Sequence, residues 1–370
     1  MSIHRIPRIE LSGTSYEIGL KHGRLLSNQI RSQLELYRNL FFENCKFEWT
    51  QVLSVAEEFC SAIERLAPDL LQEMRGIADG IDDPNVGLLD IVALNSRSEI
   101  ALGQWDDGCT SLAWKLGPRK QVLAQNWDWR RPVAKNLAIA TKYQAGKPTI
   151  WMVIEPGIVG KIGFNSASVG VCLNAIRARP ISTTLLPIHV LLRIALECDS
   201  ASSAISEIER LGGAASSQHI LIADRHMARG LELSPCGGVY LEEDVHGIIL
   251  HTNHFLQNKL VDEPPWLESS PTRLNRAQEI CQEIVSGVGV EHLEDAVDAH
   301  FLRDHFFSDT HDYPKSICCY PDPSRITGGD TETLFNIVMT FHDGHLPEAE
   351  VVFGKPGSEE ESEVYHLPWP

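Results

Sequence analysis

The sequence predicts a layered α+β fold with a helical segment at its N-terminal end. Three observations predict it. Residues 14 to about 100 carry helical periodicity, the chain switches to short strand-like runs after residue 108, and helices and strands then return in blocks instead of alternating singly.

The first helix starts at Thr14-Ser15-Tyr16-Glu17, a capping-box pattern in which the hydroxyl and the carboxylate each satisfy a free backbone N–H. Ile18, Leu25, Leu26, Ile30, Leu34 and Leu36 continue it at helical spacing. A second helix fits residues 51–66, ended by Pro68, and a third fits 70–78. A fourth fits 87–102, where Leu88, Ile91, Val92 and Leu94 share a face. Strands are expected at 111–116 and 121–125, joined by a turn at Gly117-Pro118-Arg119-Lys120. Further strands are expected at 149–154, 159–164 and 170–174, and helices at 187–197 and 201–211. Strands follow at 219–223, 230–233 and 247–251, and helices at 272–284 and 289–299. Strands at 334–341 and 350–353 close the pattern, before a solvated acidic loop at 357–361. The 370 residues suffice for two domains, but no linker or repeat is visible. The expected organisation is one large domain: residues 1–108 a helical segment wrapped on a core of residues 109–370.

The formal net charge of -18 argues against nucleic acid and anionic membranes as partners. Nine cysteines, an odd number with no C-x-x-C pair, read as reduced thiols rather than a disulfide framework. The most apolar stretch, Leu185 to Leu196, is too short and too interrupted to span a bilayer. No signal peptide and no simple C-terminal address is read, so a cytoplasmic location is expected.

The chemistry points to Gly108-Cys109-Thr110-Ser111. Gly108 has no side chain, so the neighbouring thiol can approach its carbonyl. Attack by the Cys109 sulfur would pass the acyl group from nitrogen to sulfur, and water would then cut the chain. The new N-terminus would carry a thiol and an α-amine on one residue. That amine, with an ordinary pKa near 8, can activate the thiol. The plain alternative is a small buried cysteine packed in a strand.

Other residues join this pair. Tyr16-Glu17-Ile18-Gly19 with His22-Gly23, Asn95-Ser96-Arg97-Ser98-Glu99 and Asp107-Gly108-Cys109-Thr110 form one ordered set with Gln125-Asn126-Trp127-Asp128 and Gly163-Phe164-Asn165-Ser166. His251-Thr252-Asn253-His254, Ser316-Ile317-Cys318 and Thr333-Leu334-Phe335-Asn336 extend it. In this order, with nineteen residues from Cys109 to Asp128, the chain resembles the isopenicillin N acyltransferase family from about residue 12 to residue 355. Penicillin V acylases and bile salt hydrolases look like more distant relatives. The resemblance implies the four-layer αββα sandwich of the N-terminal nucleophile (Ntn) hydrolases. It also implies self-cleavage at Gly108-Cys109, with the fragments kept as a heterodimer.

The same resemblance implies roles. Cys109 matches the nucleophile, Asp128 the carboxylate that orients the new amino terminus, and Asn253 the oxyanion-hole donor. Asn174 is a candidate second donor. Arg273, in Ser270-Pro271-Thr272-Arg273, and Arg325 are candidate pocket arginines. Cys319 stands where relatives often carry arginine. The implied activity moves an acyl group from a thioester or amide donor through a Cys109 thioester to an amine, as in fungal secondary metabolism. Its partners are a small-molecule acyl donor, an amine acceptor and its own N-terminal fragment. No cofactor or metal is expected, and acyl-CoA is a candidate co-substrate. Two alternatives stay open: an amidohydrolase that uses water as acceptor, and a non-catalytic heterodimer. A metal site at His251, His254, His342 and His345 lacks a ligand motif.

Overall fold

The computed structural model describes residues 6–101, 108–264, 267–325, 328–357 and 363–369. The end of the expected 87–102 helix, Asp107 and most of the acidic 357–361 loop lie outside the described residues.

The described residues form two stacked sheets with helices on their outer faces. Strand β1 (Arg8–Ser12) precedes a run of helices: α1 (Ser15–Leu25), α2 (Ser27–Leu40), α3 (Trp49–Leu66), α4 (Pro68–Ile81), α5 (Leu88–Asn95) and α6 (Arg97–Ile100). Then come β2 (Gly108–Lys115), β3 (Lys120–Arg130), β4 (Ala138–Tyr143), β5 (Ile150–Ile154), β6 (Gly163–Asn165) and β7 (Gly170–Ala175). Helices α7 (Ile188–Leu196) and α8 (Ala201–Arg210) lead to β8 (Gln218–Ala223), β9 (Ala228–Ser234), β10 (Gly237–Leu241) and β11 (Ile248–His251). Helix α9 (Ser269–Val288) and the short α10 (Leu293–Ala296) and α11 (Ala299–Leu302) precede β12 (Thr331–His342), β13 (Glu348–Phe353) and β14 (Val364–Leu367). One sheet has the order β1-β4-β5-β6-β7-β8-β9-β10, the other β11-β2-β3-β12-β13-β14.

Both faces of the second sheet are covered, so β2, β3 and β12 are buried along nearly their whole length, although they carry polar residues such as Gln125, Asn126 and Asn336. In β2, Leu112 and Trp114 pack outward against Ala277, Ile280 and Ile284 of α9, while Cys109 and Ala113 face the core between the sheets. This is the four-layer αββα sandwich. Among the described residues no helix is long and apolar enough to cross a membrane.

The capping box at Thr14 forms: its hydroxyl accepts from the Glu17 N–H, and the Glu17 carboxylate accepts from the Thr14 N–H at 2.8 Å. Helices α1 and α4 cross with almost no gap. A Cβ on Gly19 would lie 1.9 Å from the Glu73 carbonyl oxygen, and one on Gly76 would lie 2.2 Å from that of Tyr16. Only glycine admits so close a crossing.

Several elements differ from expectation. The N-terminal segment is more than helical, because β1 pairs in parallel with β4 at the sheet edge. Strands β1, β4, β10 and β14 are additions to the expected pattern, and β1 alternates exposed and buried residues along its length. The expected strand at 159–164 shrinks to β6, because the chain at Gly160 presses on α7. A Cβ there would lie 2.3 Å from the His189 carbonyl oxygen. The expected 289–299 helix breaks into short pieces after Gly289, whose φ is +85°.

Buried polar ties join the N-terminal segment to the rest. Gln33 Nε2 and the Tyr37 hydroxyl donate to Glu155 at 2.7 and 2.6 Å, and Arg97 Nη2 pairs with it at 2.6 Å. Asn95 Oδ1 accepts from the Val159 N–H at 2.9 Å, and Glu99 accepts from the Ile188 N–H at 3.0 Å. Glu73 binds Lys142 and, at 2.9 Å, Arg193. Burial alone would raise the Glu73 pKa, but Arg193 and Lys142 hold it below the usual range. Glu73→Gln would leave both cations facing a neutral amide in the interior. The expected loss is about 3–5 kcal/mol of unfolding free energy, read from urea denaturation.

Candidate active site

The site is built on the β2–β3 hairpin. Its register pairs Gly108 with Asp128 and Cys109 with Trp127. A Cβ on Gly108 would lie 2.9 Å from Asp128 Oδ2, so glycine lets the carboxylate reach the backbone here. Cys109 is buried, with 1% of its surface exposed.

Distant segments converge on Cys109. Its backbone N–H donates to Asn253 Oδ1 at 2.8 Å. Asn253 follows β11, which pairs with β2, and its Nδ2 donates to the Ala175 carbonyl at 3.1 Å. Ser270 fixes it from α9 by accepting the Asn253 N–H at 2.7 Å. One turn along, Arg273 donates from Nη1 to the Cys109 carbonyl at 2.6 Å and from Nη2 to Asn253 Oδ1 at 2.9 Å. The buried guanidinium thereby holds the nucleophile candidate and the asparagine in one frame.

Asp128 is held from β12. The Thr333 hydroxyl donates to Asp128 Oδ1 at 2.6 Å and accepts from the Cys319 N–H at 2.8 Å. The β3–β12 register shifts between Thr333 and Phe335, a local bulge of the kind that re-aims side chains beside sites. Gly108, Asp128, Arg273, Lys315, Cys319, Arg325 and Thr331 line one small pocket. Three cations thus surround it. Burial, with Asp128 adding, pushes the Cys318 and Cys319 thiols up to about 12.

Of the residues expected from sequence, Gly108, Cys109, Asp128, Asn253 and Arg273 come together, and Arg325 lines the same pocket. Asn174 sits beside them with its amide engaged elsewhere. Its Oδ1 accepts from the Ser111 hydroxyl at 2.7 Å and contacts His219 Nδ1 at 3.0 Å. Arg276 points to Asp309 at 3.1 Å, away from Cys109. Sequence reading missed the supporting parts played by Ser270, Thr333 and Lys315. The first two stood inside segments already singled out, but nothing local distinguishes a supporting hydroxyl from a capping one.

The histidines have other partners. His251 lies 2.9 Å from Glu232 and stacks on His219 with ring centroids 3.5 Å apart. His254 contacts the Ser270 hydroxyl at 2.8 Å. Burial pulls the His254 pKa down to about 4, with His251 and Arg273 adding to the effect. Among the described residues no group of three or more His, Cys, Asp or Glu could hold a metal ion.

A buried thiol whose adjoining backbone nitrogen is held by an asparagine, with a carboxylate and a guanidinium at the same junction, can carry an acyl group as a thioester. The chain is similar to several known proteins. Residues 115–321 match the family described as acyl-coenzyme A:6-aminopenicillanic acid acyl-transferase. The 40 kDa form of acyl-coenzyme A:6-aminopenicillanic-acid-acyltransferase from Emericella nidulans is 34% identical over 360 residues, 96% of this chain and 95% of that protein. Among solved structures, a variant of conjugated bile acid hydrolase from Clostridium perfringens is similar over 70% of this chain and 92% of its own, at 11% identity and a TM-score of 0.46. A Caenorhabditis elegans ortholog of N-acylethanolamine-hydrolyzing acid amidase is similar over 62% of this chain and 92% of its own, at 12% identity and a TM-score of 0.40.

Proposed function

The chain belongs to the acyl-coenzyme A:6-aminopenicillanic acid acyltransferase family, and on that premise we propose that it moves an acyl group through a Cys109 thioester to an amine acceptor. It is an enzyme of acyl transfer. The observation that carries the finer reading is the junction itself: Asn253 and Arg273 grip the two backbone groups of Cys109 while Asp128 lies across the hairpin from Gly108.

In this reading Cys109 first attacks the Gly108 carbonyl and cuts the chain. The freed α-amine then takes the thiol proton as sulfur attacks the donor carbonyl. The donor's leaving group, a thiol such as coenzyme A or an amine, departs with a proton. The acceptor amine attacks the thioester next, sulfur leaves, and the α-amine handles the acceptor's proton. Asn253 stabilises the oxyanion, and Asp128 orients the α-amine. Arg273, Lys315 and Arg325 favour a donor or acceptor that bears negative charge. The buried ties from Gln33, Tyr37, Glu73 and Arg97 support retention of the N-terminal fragment after the cut.

Asp128→Asn keeps the size and removes the charge. A lost charge-assisted hydrogen bond of about 1.5–3 kcal/mol corresponds to roughly 10–100-fold. Both cutting, followed by intact mass, and turnover are expected to slow by that order.

Transfer and hydrolysis share the acyl-enzyme and differ in what reaches it. A bound amine gains a large effective concentration over water. A preformed acyl-enzyme, offered millimolar aromatic, aliphatic and amino-acid amines, is expected to yield amide with at least one of them. Free acid alone from all of them would make the protein an amidohydrolase.

A further inference from the structure

The uncut chain poses a problem that the mature site does not. Before the cut, the Cys109 nitrogen is an amide whose N–H is given to Asn253. It has no basic lone pair, so the α-amine that would activate the thiol does not yet exist. Some other group must favour the thiolate for the first attack.

The inner face of the hairpin carries one. Cys109 and Trp127 are cross-strand partners, so their side chains share a face. Lys161, just before β6, places Nζ 3.6 Å from the Trp127 ring centroid and is fully buried. It is anchored at 2.8 Å to Glu155. That carboxylate must also serve Arg97 at 2.6 Å, and it accepts from Tyr37 and Gln33. Two buried cations therefore share one carboxylate. The next carboxylate, Glu99, accepts from the Ile188 N–H and the Ser216 hydroxyl. The nearby His189 is held neutral by burial and by Arg97. Glu99 also acts on Arg97 at longer range, whereas the Lys161 ammonium has the shared Glu155 and sits over Trp127, the cross-strand partner of Cys109, where it acts on that thiol.

We propose that Lys161 is a positioning residue for self-cleavage: its ammonium, seated on Trp127 and held by the N-terminal segment through Glu155, stabilises the Cys109 thiolate that attacks Gly108. The bookkeeping closes without any co-reactant but water. The Sγ–C bond to the Gly108 carbonyl forms and the C–N bond to Cys109 breaks. The proton lost by sulfur ends on the departing nitrogen, and Lys161 keeps its charge throughout. Water then adds to the thioester, its OH to Gly108 and its H to sulfur. Burial pulls the Lys161 pKa down to about 8, so the ammonium still prevails at pH 7. Arg97 and Tyr37 lie on the fragment to be cut away, so the device is complete only when that segment is folded onto the core.

The inference rests on the self-cleavage reading above, and the test separates the two. Full-length chain made by cell-free translation is moved to buffers of different pH, and cutting is followed by intact mass spectrometry. Lys161→Met removes the charge. Lys161→Gln removes it but keeps a donor for Glu155, so it reads the charge even if the methionine variant misfolds. Lys161→Arg keeps the charge. The neutral variants are expected to cut about tenfold more slowly at neutral pH, with the midpoint of the pH–rate curve raised by about one unit and rates converging at high pH. Lys161→Arg should keep a midpoint near that of the wild type. A purely structural role would lower the rate equally at every pH. Unshifted midpoints in the neutral variants overturn the role of Lys161 and leave self-cleavage standing. A wild-type chain that never cuts overturns self-cleavage itself.

Discussion

Cys109→Ala is expected to leave a single uncut chain and to abolish turnover. Wild-type protein is expected to separate under denaturing conditions into fragments of residues 1–108 and 109–370 that copurify under native ones. The physical reason is that one sulfur serves both events, first against the Gly108 carbonyl and later against the donor carbonyl. Loss of a covalent nucleophile typically costs more than about 10⁴ in rate, because the remaining groups act only around it. The fold should survive, since the backbone bonds from Asn253 and Arg273 do not involve the thiol. Intact mass and an acyl-transfer assay on the same sample check the result. Wild-type protein that stays whole yet turns over substrate would show that the α-amine is not the base.

Asn253→Ala is expected to lower turnover by about 10²–10³, the usual worth of one oxyanion-hole donor. It should also slow cutting, because the Asn253 side chain holds the Cys109 nitrogen and accepts from Arg273. The two effects separate if kcat is referred to the cut fraction, measured by mass spectrometry. Near-normal kcat in cut protein would remove Asn253 from the chemistry and leave it a structural role. Together with Asp128→Asn, this variant distinguishes a group that stabilises the developing oxyanion from one that orients the amine.

How much of this was legible beforehand follows the range of each interaction. The hairpin was readable. The turn at Gly117-Pro118-Arg119-Lys120 and the two strands it joins were legible, but the pairing of Gly108 with Asp128 was not, because both strands run beyond the expected 111–116 and 121–125 and their register is set in the folded sheet. The α1 cap was readable, being a contact across three residues. His22, Asn95, Arg97 and Glu99 stood in the sequence as members of the ordered motif set, with no individual role assigned. In the structure they tie the N-terminal segment to the core through buried hydrogen bonds.

The sequence by itself determined the layered α+β class, the hairpin that lies between Cys109 and Asp128, and the glycine that lets the thiol approach a backbone carbonyl. Only the tertiary structure decided where the two arginines of α9 reach. Arg273 and Arg276 stand three residues apart on one helix, and packing of α9 on the outer face of the sheet sends the first to Cys109 and the second to Asp309. It also decided that Thr333 supports Asp128 and that Lys161 lies on Trp127, contacts between segments far apart in the chain. Such contacts leave no periodic trace, because nothing local constrains them. They exist because two covered sheets stack in one register, and that register is fixed by burying whole apolar faces rather than by any single residue.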